Sequence, residues 1–326
     1  METVKSYKGF NLDMTCRGFQ YEEGGHYETD SVRICKRGYH ACEHPNDVLC
    51  YYAPSHSVYH RVVQSGQIER LISGNDSKLT SSEIDIKERI SINEMARDAM
   101  HMAEVNHKEM SASDWETISS NRDSTYVYSG GIRSVASTNA HKSASHICGA
   151  ISASISTGSC SVAYSECAYD ISGSTGDWSI SCADGEKGIA CATGDESATE
   201  EYGSNGISCS TGNDCLSSST GSRSAAITTG RNSYASTVGE GSVAVVVSGR
   251  SCAFAGKAGS LAVAWGERSC AKGVKGALLF LTEWVGYLKT PKYKVVYVDG
   301  EIIKENTAYA LINGVVEEVN PWEVSK

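Results

Sequence analysis

The chain is poor in residues that make bulky cores and rigid turns. Its 326 residues include only four Phe and four Pro. It has no apolar run near the roughly 20 residues needed to span a bilayer, which excludes a membrane-spanning helix. The opening METVKSYKGFNLDM lacks the apolar segment of a secretory signal, so synthesis and residence in the cytoplasm are expected. Cationic excess is also missing. A net charge of -10 argues against a nucleic-acid partner, which would need a basic surface. Disorder is excluded as well, because charge is modest and apolar residues are spread along the chain.

What the chain has instead is Gly, Ser, Ala and a nine-residue period. Cut from residue 130, it reads GGIRSVAST, NAHKSASHI, CGAISASIS, TGSCSVAYS and onward to WGERSCAKG, 16 units over 130–273 without insertion. Position 2 is Gly in 12 units, position 5 is Ser in 12, and position 6 is apolar in all 16. Position 7 is Ala or Ser in 15 units and Thr in one. A fixed short period marks a solenoid. Nine residues are too few for a helical hairpin, and the small–apolar–small alternation at 5 to 7 is strand-like. Thr recurs at position 1 every 18 residues, at 157, 175, 193, 211 and 229, so one coil should take two units.

The fold class is therefore mainly β: a nonapeptide β-solenoid or β-roll of 18-residue coils over 130–273. A small α+β domain precedes it (1–85), followed by a linker and capping helix (86–129). A β-hairpin cap closes the chain (274–326). Gly at position 2 suits a turn with positive φ. Position 6 (Val135, Val162, Ile171, Ile180, Ile189, Ile207, Leu216, Val243, Leu261) is expected as the inward ladder. Position 7, always small, is then expected on an outer face against a second copy in a dimer or trimer, through Ser208, Ser217, Ala226, Ala235, Ala244, Ala253 and Ala262. The alternative is that positions 5 and 7 line a very narrow core.

Two ligand readings of the repeat fail. A calcium roll needs a regular Asp ladder, whereas position 6 is apolar throughout and only Asp177, Asp195 and Asn213 stack at position 3. A phosphate mimic needs strong acidity, and 9 Lys/Arg against 12 Asp/Glu over 130–273 is too even. The 13 cysteines, an odd count, read as reduced thiols used as small hydrophobes.

Outside the repeat, Ser91 and Glu94 frame a helix start, and Met95, Ala99, Met102 and Ala103 stripe one face of 92–107. "SVRIC" (31–35) and "VYHRVVQ" (58–64) read as strands, and "HPNDVLCYYA" as a short helix. Asp299-Gly300 and Asn313-Gly314 signal hairpins, and Trp322 reads as a packing anchor. Cys16, Cys35, His40 and Cys42 offer zinc-type ligands, although no C-x2-C knuckle is present; otherwise no cofactor is expected. Cys42 beside His40 is also a candidate nucleophile, but it lacks an orienting acid.

The phrases MTCRGFQYEEGGHYE (14–28), ICKRGYHACEHPNDVLCYY (34–52) and VDGEIIKENTAYALINGVVEEV (298–319) resemble a family of largely uncharacterised phage and prophage proteins. In that family a CRGFQYE/GFHACE-type domain is followed by TG-x-x-S-A-A repeats. GEGSVAVV (239–246) resembles the β-roll repeats of trimeric autotransporter adhesin heads, whose units are shorter than nine. The resemblances imply a β-roll and a phage or prophage origin, and no activity. The expected role is that of a non-enzymatic interaction protein that binds a host protein, with a host-takeover or anti-defence function. The alternatives are a virion or surface adhesin-like protein, and an enzyme with a Cys/His site in the first domain.

Overall fold

The computed structural model describes residues 2–71, 76–106, 110–114, 116–285 and 290–321. It is mainly β, a solenoid behind a small head. The head contains β1 (Val4–Asn11), the two-residue strands β2 (Thr15–Cys16) and β3 (Phe19–Gln20), β4 (His26–Glu28), β5 (Tyr39–Cys42), β6 (Ser57–Arg70) and β7 (Lys78–Ile90). The sheet order is β4-β7-β5-β1-β6, and β6 also pairs with β7, so four antiparallel strands close into a ring. Residues 31–35 are turn rather than strand, and Pro45–Cys50 forms a 3-10 turn. Helix α1 (Ile92–Asn106) begins with the expected capping box. The Ser91 N–H donates to Glu94 Oε2 (2.8 Å), and the Glu94 N–H donates to Ser91 Oγ (3.2 Å).

From Met110 the chain winds a parallel ladder with an 18-residue lap: Ile171 pairs with Ile189, and Ile189 with Ile207. Strands alternate between two sheets, each with ten parallel strands. The ladder extends past the legible repeats on both sides, from Met110–Ala112 to Leu278–Val285. At the end Thr290–Tyr297 pairs antiparallel to Leu278–Val285, and a hairpin of Tyr309–Ile312 with Val315–Glu318 closes the other sheet. Its turn is Asn313-Gly314 with φ of 51° and 76°, the left-handed pair such a hairpin needs. Both turn N–H groups donate to the Glu283 carboxylate (2.7 and 2.8 Å). Asp299-Gly300 does not form a hairpin; Asp299 Oδ1 instead accepts the N–H groups of Glu301, Ile302 and Ile303. Trp322 lies outside the described residues.

The direction of the side chains corrects the expected inward ladder. Positions 7 and 9 point into the bore and positions 6 and 8 point out. Ile171 and Ile207 are 47% and 41% exposed, and Val135, Ile189, Leu216, Val243 and Leu261 are half-buried on the same outward register. Val162 and Ile180 are buried, but beneath α1 rather than in the bore. The two sheets sit one small side chain apart: Ser154 Oγ donates to Ser145 O (2.6 Å), and Ser172 Oγ to Ala163 O (2.6 Å), each across the bore. Over the repeat position 7 holds Ala, Ser or one Thr, so small residues line the inside; the larger Ile118, Val127 and Leu279 stand in the same columns at the two ends. The alternative of a narrow core is the one the chain adopts.

Ser at position 5 has a specific task. The Ser242 N–H donates to Ser260 Oγ one coil on (3.2 Å), and Ser242 Oγ donates to Gly221 O one coil back (3.0 Å). The same pair of bonds recurs at Ser179 and Ser233. One hydroxyl therefore satisfies a buried turn N–H and a buried turn C=O, which would otherwise be costly orphans. Gly at position 2 is there for space rather than for positive φ. A Cβ at Gly158 would lie 1.9 Å from Ala140 O of the preceding coil. The left-handed residue of each turn is position 4, including Arg133, Trp178 and Glu196. The Asp177–Asp195–Asn213 stack caps backbone: Asp177 Oδ1 accepts the Asp195 N–H (2.9 Å), and Asp195 Oδ1 accepts the Asn213 N–H (2.7 Å).

Among the described residues, one charged side chain enters the bore. Glu201 occupies position 9, fully buried, with Oε2 accepting from Ser219 Oγ (2.6 Å) and Oε1 unpartnered. Gly206 makes room for it, since a Cβ there would meet the Glu201 side chain. Burial pushes the Glu201 carboxyl up to about 7. Because its folded value exceeds the unfolded one, near 4.3, the native state holds the proton more tightly. Its contribution to stability is lost as pH rises from about 4.3 through 7.

Two outcomes are expected in urea melts. Glu201→Gln should stabilise the chain by about 1–3 kcal/mol at pH 8 and by little at pH 4.5; an equal effect at both would contradict a buried, proton-binding carboxyl. Ala226→Leu should cost about 1–3 kcal/mol by overpacking a bore with no free space; an unchanged midpoint would mean that position 7 faces out.

Candidate functional site

The head and the solenoid are joined through polar contacts that also set the position of the head's open side. Asp47, fully buried in the 3-10 turn, accepts from Ser77 N–H and Oγ (both 2.6 Å) and from Lys142 Nζ of a solenoid turn (2.8 Å). Asn46 Nδ2 donates to Cys160 O (3.1 Å). Helix α1 lies across one sheet, touching the strands from Tyr126–Ser129 to Ala198–Glu201. Met95, Ala96, Ala99, Met100 and Ala103 bury against Tyr126, Ala144, Val162, Tyr164, Ile180 and Cys182. It covers a side of the roll rather than the end for which a capping helix was expected. Arg97 bonds Tyr164 OH (2.7 Å) and Asp184 (2.8 Å), and the Asn93 N–H at the helix start donates to the buried Glu200 (2.8 Å).

A cavity of about 550 Å³ opens in the head. β1 contributes Tyr7 and Lys8 to its wall, and the tip between β2 and β3 contributes Arg17, held at φ 50° and followed by Gly18 at φ 80°. β5 contributes Tyr39, His40 and Cys42, and β7 contributes Lys78. Phe19, Tyr21, Tyr51 and Tyr52 complete a largely aromatic lining. Lys8 is buried; its Nζ donates to His40 O (2.8 Å) and approaches Cys16 Sγ (3.6 Å), and burial pulls its pKa down. Tyr52 OH donates to Cys16 Sγ (2.8 Å). Burial, then the nearby Lys8 charge, lowers His40 to about 4, so its imidazole is neutral at pH 7. His40 Nδ1 meets Gly38 O (3.1 Å), and the buried Nε2 has no partner.

The four residues read as zinc-type ligands, Cys16, Cys35, His40 and Cys42, all line this cavity. They are distributed around its wall, however, and among the described residues no group of three or more His, Cys, Asp or Glu side chains is placed to hold a metal ion. Cys42 is buried, and burial drives its thiol pKa well up, the reverse of what a nucleophile requires. Of the residues that give the cavity its character, Lys36, Tyr39 and Tyr52 lie in the phrase at 34–52 without having been singled out, and Lys8 and Lys78 lie outside the quoted phrases; they come together only when the strands close into a ring.

The seven residues expected at an oligomer face, Ser208, Ser217, Ala226, Ala235, Ala244, Ala253 and Ala262, are each 0% exposed within one chain. They line the bore, so that assignment is corrected. The outer surface is set by positions 6 and 8. On the sheet that α1 covers, these include Tyr164 and Glu200. On the other sheet they are Val135, Ala153, Ile171, Ile189, Ile207, Ala225, Val243, Leu261 and Leu278 in one column. Ser137, Ile155, Gly173, Cys191, Cys209, Ile227, Val245, Val263 and Phe280 form the second. Neither column contains a charged residue, and this face is half-buried to exposed.

The lowered value for His40 has a direct consequence. Below about pH 6.5 the unfolded imidazole takes a proton that the folded one refuses until about pH 4, so stability is lost as pH falls through that window. His40→Gln should lose less stability than the parent between pH 7 and pH 4.5, and the His40 ring proton should titrate near pH 4 by NMR. Titration near 6.5 would place the ring in water.

No curated protein and no solved structure matches the chain. Residues 4–98, the head with the first half of α1, match the family model described as a domain of unknown function (DUF7666).

Proposed function

We propose that this chain is a non-enzymatic interaction protein of phage or prophage origin, a β-solenoid scaffold that pairs with a second copy through its uncovered sheet and presents the head to a host macromolecule. The observation that carries the reading is the uncharged face. A solvated sheet normally alternates polar residues outward, and single chains rarely leave apolar patches beyond a few hundred Å². Nine laps about 4.8 Å apart and a strand about 13 Å long span about 500 Å² per chain. Two copies would then bury about 1,000 Å², the lower range of a specific interface. Both columns mix large apolar residues with small ones, and an uncharged face of this kind can meet a copy of itself under a two-fold axis. The repeat phrases and the head phrases support the origin, and the paucity of basic surface supports a protein partner over nucleic acid. A cytoplasmic role follows from the same origin.

Native mass spectrometry of the purified chain should give a dimer at micromolar concentration. The double substitution Ile171→Asp and Ile207→Asp should give a folded monomer, because both side chains point outward. A monomeric parent, or a variant that keeps the parent's mass, would overturn the assembly. Recovery of the chain in purified virions would replace the host-cell role with a structural one.

A further inference from the structure

We propose that the head cavity is a binding site for an organic phosphate, a phosphate group joined to a planar ring, of the nucleotide class. The inference stands on the cavity and is independent of the solenoid pairing.

Among the described residues four cations line the cavity, Lys8, Arg17, Lys36 and Lys78, and no Asp or Glu does. That is a sharp local reversal in a chain of net charge -10. None of the four makes a salt bridge among the described residues, whereas Arg61 and Arg70 elsewhere in the head are each paired with two carboxylates. A cluster of unneutralised cations in one concave, low-dielectric site concentrates field and selects anions. Lys8 is the buried member of the set, its Nζ on His40 O and near Cys16 Sγ, and Arg17, Lys36 and Lys78 carry the charge toward the opening. Arg17 and Lys36 are exposed at the rim, and a guanidinium can hold a phosphate with two parallel bonds.

The aromatic lining among these cations is suited to a ring; Lys78 Nζ already lies 4.2 Å from the centroid of Tyr51. Phe19 and Tyr51 are 47% and 44% exposed beside the cavity, and Phe19 packs edge-on against Tyr21 (4.7 Å between centroids). Stacking on such faces is tolerant of ring type. The buried, unpartnered His40 Nε2 supplies one uncharged polar contact in the same cavity. A cavity of about 550 Å³ is within the usual range for small-ligand sites. A bare inorganic anion would leave the aromatic wall unused, and a metal cation would meet only positive charge.

The test is calorimetric titration of the full-length chain with ADP, pyrophosphate and adenosine in parallel. ADP should bind at least about tenfold tighter than either part, and its affinity should fall as salt rises. Arg17→Gln with Lys36→Gln, both on exposed side chains, should weaken ADP by about tenfold or more while the thermal melt is unchanged. Phe19→Ala should bring ADP down to the affinity of pyrophosphate. Absence of ADP binding at millimolar concentration, undiminished binding by the Arg17/Lys36 variant, or pyrophosphate binding as tightly as ADP would each overturn the proposal.

Discussion

The separation of the two sheets by a single small side chain is the constraint on which the rest of the solenoid depends. At that spacing Ser145 and Ser154, or Thr199 and Ser208, reach one another across the bore. Ala, Ser and a single Thr are then the side chains that the repeat places at position 7. Coils must also approach closely enough that a Cβ at position 2 would strike a carbonyl. Narrowness removes room for water, so every turn amide needs a protein partner, and the position-5 serine supplies it. The interior changes along its length. The earlier laps are cross-linked by hydroxyls, and the later ones, from Ala226 to Ala271, are an alanine core with Val246 and Ala264. Both solve the same spatial problem, one by hydrogen bonds and the other by dispersion.

A bore this thin buries few large groups, so the bulky residues work on the outside. On one sheet they meet α1, and Tyr164, Ile180 and Cys182 become fully buried there. Further along the same sheet Cys252 and Cys270 are covered by Ala308 and Ala310 of the closing hairpin. The opposite sheet has the same type of residues and, among the described residues, no cover from its own chain. That asymmetry, rather than any single side chain, distinguishes the two faces and supports the proposed pairing.

The head differs in both shape and charge. Its strands close on themselves and leave a concave side where four cations meet six aromatic rings. It is fastened to the solenoid by buried ions. Asp47 with Lys142, and Glu200 at the start of α1, are groups whose removal from water is costly unless partners are held in place. Those contacts make the cavity and the roll parts of one framework.

Much of this framework could be read in one dimension. An 18-residue lap follows from Thr157, Thr175 and Thr193. The start of α1 follows from Ser91 and Glu94, and the last hairpin from Asn313-Gly314, because each is a local backbone rule. The direction of the side chains could not be read. Period two divides a strand into two sets of positions, and which set is inside depends on how close the second sheet comes. Ile207 was therefore expected inside and Ala226 outside, and the reverse holds. The cavity was equally hidden, since Lys8, Arg17, Lys36 and Lys78 lie up to 70 positions apart. By itself the sequence determined the repeat, the lap, the start of α1 and the last hairpin turn, which are properties of neighbouring residues. Only the tertiary structure decided which face is buried, which is left open and which cations share a cavity, because those depend on distances between segments far apart in the chain.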